Sequence, residues 1–154
     1  TFLAIKAILS WKSQMAWIKV DDQPGRKVDL TGLFAMMQAE TFGGGYRVAP
    51  GMQPFGDSAS IVLGFGLTKL QMLSVMGPLE KGRHVGKWGK ISMEPCRRFE
   101  IKALDSEGNP TDEKGHEPPL FISLDGEISM TTPVSFEFHE GQLNVRGGKR
   151  PPNV

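Results

Sequence analysis

At 154 residues the chain is long enough for one domain with its own hydrophobic core. Its 18 Lys and Arg against 17 Asp and Glu leave a net charge of +1, with 39% hydrophobic and 23% charged residues. That balance lacks the basic excess of a protein built to neutralise phosphates, so no nucleic-acid partner is expected. Nineteen Gly and 11 Pro point to many turns between short strands rather than to a helical bundle.

Cys96 is the only cysteine and cannot form an internal disulfide, so a cytoplasmic setting is the default. No apolar run approaches the roughly 20 residues needed to span a bilayer, and a soluble or peripheral protein is expected. The chain opens at Thr1 in a helix-like stretch without Met, so further sequence upstream is expected.

In residues 1–11, Phe2, Ile5, Ile8 and Leu9 recur at helical spacing, which predicts a short amphipathic helix. From Gln14 to Val20, Ala16, Ile18 and Val20 alternate with Met15, Trp17 and Lys19, the period of a strand. Asp21 to Lys27 carries turn chemistry and Val28 to Met37 alternates again, so residues 14–37 read as one hairpin. Three glycines, Gly43 to Gly45, then run into a strand-like Tyr46 to Ala49, where backbone bare of side chains suits close packing. Ser60 to Leu67 reads as a strand. Thr68 to Met76 reads as a helix with Thr68 as N-cap, ended by Gly77-Pro78 or by Gly82. Further runs at 88–93, 97–104, 119–124, 133–138 and 142–146 read as strands, and Asp105 to Pro118 as a polar loop. Arg146 to Val154, most clearly residues 147–154, reads as a frayed tail. The sum is one domain over 1–154, mainly β with two short helices, an antiparallel β-sandwich or open barrel.

Chemistry by composition is sparse. His84, His116 and His139 show no zinc-binding spacing, and Cys96, between Pro95 and Arg97, suits packing better than nucleophilic attack. The three glycines do not open a helix, as a phosphate-cradling loop would. Leu124-Asp125-Gly126-Glu127 is a tight-turn signal whose plain reading is a hairpin with a solvated Glu. Met36, Met37, Leu70, Leu73 and Met76 suit either a core or a cavity for acyl chains, and Trp11, Trp17 and Trp88 suit a core or a membrane interface.

Taken in order, Thr41-Phe42-Gly43-Gly44-Gly45-Tyr46-Arg47-Val48-Ala49-Pro50, then Asp57, the helix from Thr68 to Gly77, Lys81-Gly82-Arg83-His84, Leu124-Asp125-Gly126-Glu127 and a last strand at 141–145 resemble the diacylglycerol kinase and sphingosine kinase type of lipid kinase. The resemblance covers almost the whole chain and implies that family's C-terminal β-sandwich, related to the NAD kinase fold, with its first strands before Thr1. Two positions depart from the pattern: Gln38 stands where the family usually has Asn, and Gly56-Asp57-Ser58 where it usually has Asp-Asp-Gly.

The resemblance implies a parent enzyme that uses ATP and Mg²⁺ to phosphorylate a hydroxyl of a diacylglycerol-like or sphingoid lipid at a membrane surface. Glu127 is then the base, with Asp125 beside it, Gly43, Gly44, Gly45 and Gly126 against the substrate, and Asp57 in a region similar to a magnesium site. ATP binds mainly to an N-terminal domain carrying Gly-Gly-Asp-Gly-Thr in that family. These 154 residues contain no such motif, so the fragment alone is not expected to bind either cofactor tightly. Two other readings stay open: a non-catalytic lipid- or protein-binding sandwich, and a fragment of an NAD kinase-like enzyme.

Overall fold

A computed structural model describes residues 2–30, 34–112, 120–125 and 127–141. The opening helix α1 spans Phe2–Ser10, and β1 spans Met15–Val20 with Ala16, Ile18 and Val20 buried, as their alternation predicts. β2, Arg26–Asp29, pairs with β1. The hairpin ends there. β3, Phe34–Met37, leaves for a different sheet and pairs with β4, Ala59–Gly64, so residues 14–37 are not one hairpin. A period of two reports which side chains share a face and says nothing of which strand lies alongside.

Helix α2, Lys69–Glu80, starts in a capping box: Gln71 N–H donates to Thr68 Oγ1 at 3.2 Å and Thr68 N–H to Gln71 Oε1 at 3.0 Å. It runs through Gly77-Pro78 and ends at Lys81-Gly82, where Gly82 takes φ +65°. A short 3₁₀ turn, Lys87–Gly89, fills the start of the run expected as a strand from residue 88; β5 is Ile91–Cys96. Then come β6, Arg98–Lys102, β7, Phe121–Leu124, β8, Glu127–Thr131, and β9, Val134–Glu137. The expected strand at 142–146 and tail at 147–154 lie outside the described residues, as do residues 113–118 of the polar loop.

Every described strand pair is antiparallel. One sheet has the order β2-β1-β6-β9, a second β3-β4-β5, and β7-β8 stand as a two-stranded arm. The first two sheets face each other across a core of Ala16, Ile18, Val28, Ile61, Leu63, Phe99 and Ile101. The far side of the second sheet carries another core, in which Met37, Val62 and Ile91 meet Val75 of α2 with Val48, Ala49 and Leu67. All six residues of β4 are therefore buried, which explains why Ile61, Val62 and Leu63 are apolar in succession instead of alternating with polar residues. The architecture is a β-sandwich of open sheets with a helix on its outer face.

Candidate functional site

The β7-β8 arm is rooted in the inner core by Leu120 and Ile122, and Thr132 N–H donates to the Leu120 carbonyl at 3.1 Å. Beyond that root it stands in solvent: Phe121 is 64% and Ile128 72% exposed. Leu124 pairs with Glu127 at the tip, so the turn expected from Asp-Gly closes a hairpin whose second strand sequence reading did not resolve. Asp125 takes φ +49°, a left-handed conformation that Asp tolerates better than most side chains. The Glu127 carboxylate is exposed and has no hydrogen-bond or ion-pair partner among the described residues. Gly126 lies outside the described residues.

Gly43, Gly44 and Gly45 form a turn closed by the Phe42–Tyr46 bridge, with φ of +34°, +74° and +97°. Among the described residues a Cβ added at any of them meets nothing within 4 Å, so the expected close packing is absent there. Conformation is what requires glycine here. Tyr46 to Ala49 is no strand either, because Val48 and Ala49 turn inward to fill the outer core.

Two residues that sequence reasoning left without a role hold this turn. Glu40 Oε1 accepts from Arg47 Nη2 at 2.6 Å, from Arg47 Nε at 3.0 Å and from Gly51 N–H at 2.9 Å, and the Gly51 bond and the Arg47 contact lower its pKa. His84 is fully buried with Nε2 3.0 Å from the Val48 carbonyl, and burial lowers its pKa. Opposite charges flanking the glycines at 40 and 47 were the available signal for the first contact. The second joins positions 36 apart and had none.

Asp57 lies exposed in the loop before β4, its carboxylate accepting from Ser58 Oγ at 3.4 Å. Among the described residues no three His, Cys, Asp or Glu converge as a metal site. Cys96 is buried in the inner core, and burial pushes its thiol up to about 11, so it packs as an uncharged group. Met36 packs toward the inner core and Met37 into the outer one, while Leu70 is exposed. These residues do not line one shared cavity.

The glycine turn is thus anchored in the outer core and the Asp125–Glu127 arm in the inner one, on opposite sides of the β3-β4-β5 sheet. Residues 1–147 match the family model of the YegS C-terminal NAD kinase beta sandwich-like domain. The chain belongs to this family. No curated protein matches the sequence. Among solved structures, the YegS-type domain is similar to one described as "a putative diacylglycerol kinase" from Bacillus anthracis str. Sterne, with a TM-score of 0.64 and 17% identity over 89% of this chain and 43% of that one. A second structure with that description and source gives 0.61 and 16% over 89% and 41%. At such identities the likeness shows the fold, and the YegS-type domain spans less than half the length of either structure.

Proposed function

We propose that this YegS-type domain is the lipid-side part of an ATP-dependent lipid kinase acting on a hydroxyl of a diacylglycerol-like or sphingoid lipid. The observation that carries the reading is the Glu127 carboxylate, exposed and unpaired among the described residues at the end of a narrow arm. A base must reach the hydroxyl directly or through one water, and a carboxylate already spent in an ion pair cannot. Glu127 accepts the hydroxyl proton as the lipid oxygen attacks, Asp125 sets the turn that aims it, and Gly126 leaves room beside it. Gly43, Gly44 and Gly45 are anchored on the other side of the β3-β4-β5 sheet from the arm's root, so the bare backbone they offer is for a part of the lipid away from the reacting hydroxyl. A separate nucleotide-binding domain would bring ATP, whose γ-phosphoryl group passes to the lipid oxygen as ADP leaves, and Mg²⁺, which would offset the charge on the phosphates. Asp57 offers one carboxylate to Mg²⁺, so the most it can provide is a weak, largely hydrated site.

A transient membrane surface is the proposed setting, on the cytoplasmic side. Ile5 and Leu9 of α1 and the indole of Trp11 are exposed beside Lys6 and Lys12, the mixture that suits a bilayer interface. None of the described helices is long and apolar enough to cross a membrane.

The test is Glu127→Gln in a protein that joins this domain to its ATP-binding domain, assayed with lipid and with NAD as acceptors. Lipid turnover is expected to fall about 10²-fold or more with the melting temperature unchanged. Near-normal turnover refutes the base role and favours a binding arm, for which exposed Phe121, Leu124 and Ile128 are suited. Phosphorylation of NAD instead of lipid favours the NAD kinase-like reading.

A further inference from the structure

An open depression of about 640 Å³ lies where β2, an edge strand of the first sheet, approaches β5, an edge strand of the second. Its lining includes Arg26, Phe65, Gly66, Lys90 and Ser92. Register decides which side chains turn inward. Arg26 pairs with Ile18 and Ser92 with Leu63, and both partners belong to the inner core, so Arg26 and Ser92 occupy the faces that look across the sandwich. Lys27 and Asp29 pair with Trp17 and Met15 on the opposite face, and the Asp29 carboxylate accepts from Ser13 Oγ. The one carboxylate of the lining is therefore turned away and engaged.

The groups left at the mouth are donors. The Arg26 guanidinium sits 5.9 Å from the centre of the Phe65 ring and has no carboxylate partner among the described residues. The Lys90 ammonium is held in the wall by the Gly66 carbonyl at 2.6 Å and Gln71 Oε1 at 3.3 Å, both neutral, and so keeps its charge uncompensated. Ser92 is exposed, and its hydroxyl has no partner among the described residues. Glu94, the next residue on that face of β5, is not part of the lining. Two cations and a hydroxyl around an aromatic edge complement an oxyanion attached to an apolar or ring-bearing group.

We infer that the mouth between β2 and β5 is a binding site for a phosphate ester, with Arg26, Lys90 and Ser92 as its ligands. This site is separate from the Glu127 arm and does not depend on the kinase reading. A lipid headgroup and a soluble phosphate ester share this chemistry. Binding of the 154-residue chain to glycerol phosphate, by titration calorimetry, and to vesicles of phosphatidylcholine with and without phosphatidic acid, by co-sedimentation, distinguishes the sources.

Saturable binding in either arm, weakened about tenfold or more by Arg26→Gln and less by Ser92→Ala, supports the site. Binding to glycerol phosphate identifies a soluble ligand; binding only to phosphatidic acid vesicles identifies a headgroup. Arg97→Gln is the charge-matched control, at the other end of β5 about 20 Å away. Equal loss in Arg97→Gln, or no saturable binding in either arm, overturns the proposal. Melting curves of each variant show that the fold is retained, and Ser92→Ala tests the site without a change of charge.

Discussion

The buried imidazole of His84, beyond the end of α2, meets the carbonyl of Val48, beyond the glycine turn, with Nε2 and the oxygen 3.0 Å apart. For Nε2 to donate, the neutral ring must carry its proton there, which leaves Nδ1 as a buried acceptor; Nδ1 has no partner among the described residues. Gly82 closes the same contact from the helix side, since a Cβ there would lie 3.0 Å from Pro50 Cβ and 3.4 Å from Arg47 Cβ. The Gly-x-His sequence is thereby a clamp that seats the turn segment against α2.

Removing the imidazole should show the clamp's worth. His84→Ala leaves the Val48 carbonyl without its donor and opens a void, and about 2–4 kcal/mol of stability should be lost. His84→Gln, whose amide can donate to the same oxygen, should recover part of that loss. Chemical denaturation of the two variants checks this, and equal losses would mean that only the ring's volume counts.

The same residue fixes a pH dependence. Burial lowers the pKa of His84 in the folded protein below the ordinary imidazole value of about 6.5, so the unfolded chain takes up the proton first as pH falls. Its contribution is complete above about pH 6.5 and declines as pH drops from there towards the folded pKa. Denaturation midpoints between about pH 7.5 and 5 should fall for the natural chain and fall less for His84→Gln.

Gly44 has φ +74° and, among the described residues, open space where a Cβ would go. Gly44→Ala should cost about 1–2 kcal/mol from backbone strain alone, Gly44→Val more, and Gly44→Asn least, because Asn adopts this conformation more readily. Thermal melts rank the three. An unchanged melting temperature for Val would mean that the turn relaxes freely.

Gly25 is intolerant for a different reason. A Cβ there would lie 1.9 Å from Cζ2 of Trp17, and the Lys102 ammonium sits 5.5 Å from that ring's centre. Gly25→Ala should displace the indole, costing about 1–3 kcal/mol. A shift in tryptophan emission alongside the melt checks the cause; lost stability with unchanged emission would point to the turn instead.

What the residues alone determined is local. Alternation at 16, 18 and 20 named the buried face of β1, Thr68 named the start of α2, and Asp125 and Gly126 named the arm's turn, because each depends on neighbours within a few residues. The order of motifs from Gly43 to Glu127 carried the family. Tertiary structure alone decided that β3 leaves its apparent hairpin, that β4 is buried on both faces, and that Val48 and Ala49 fill a core instead of continuing a strand. It also decided that His84 holds the glycine turn and that Arg26, Lys90 and Ser92 share one mouth. These relations join residues far apart in the chain through sheet register and packing between layers. A side-chain period states which face a residue occupies, while what that face meets is set only when the layers close on each other.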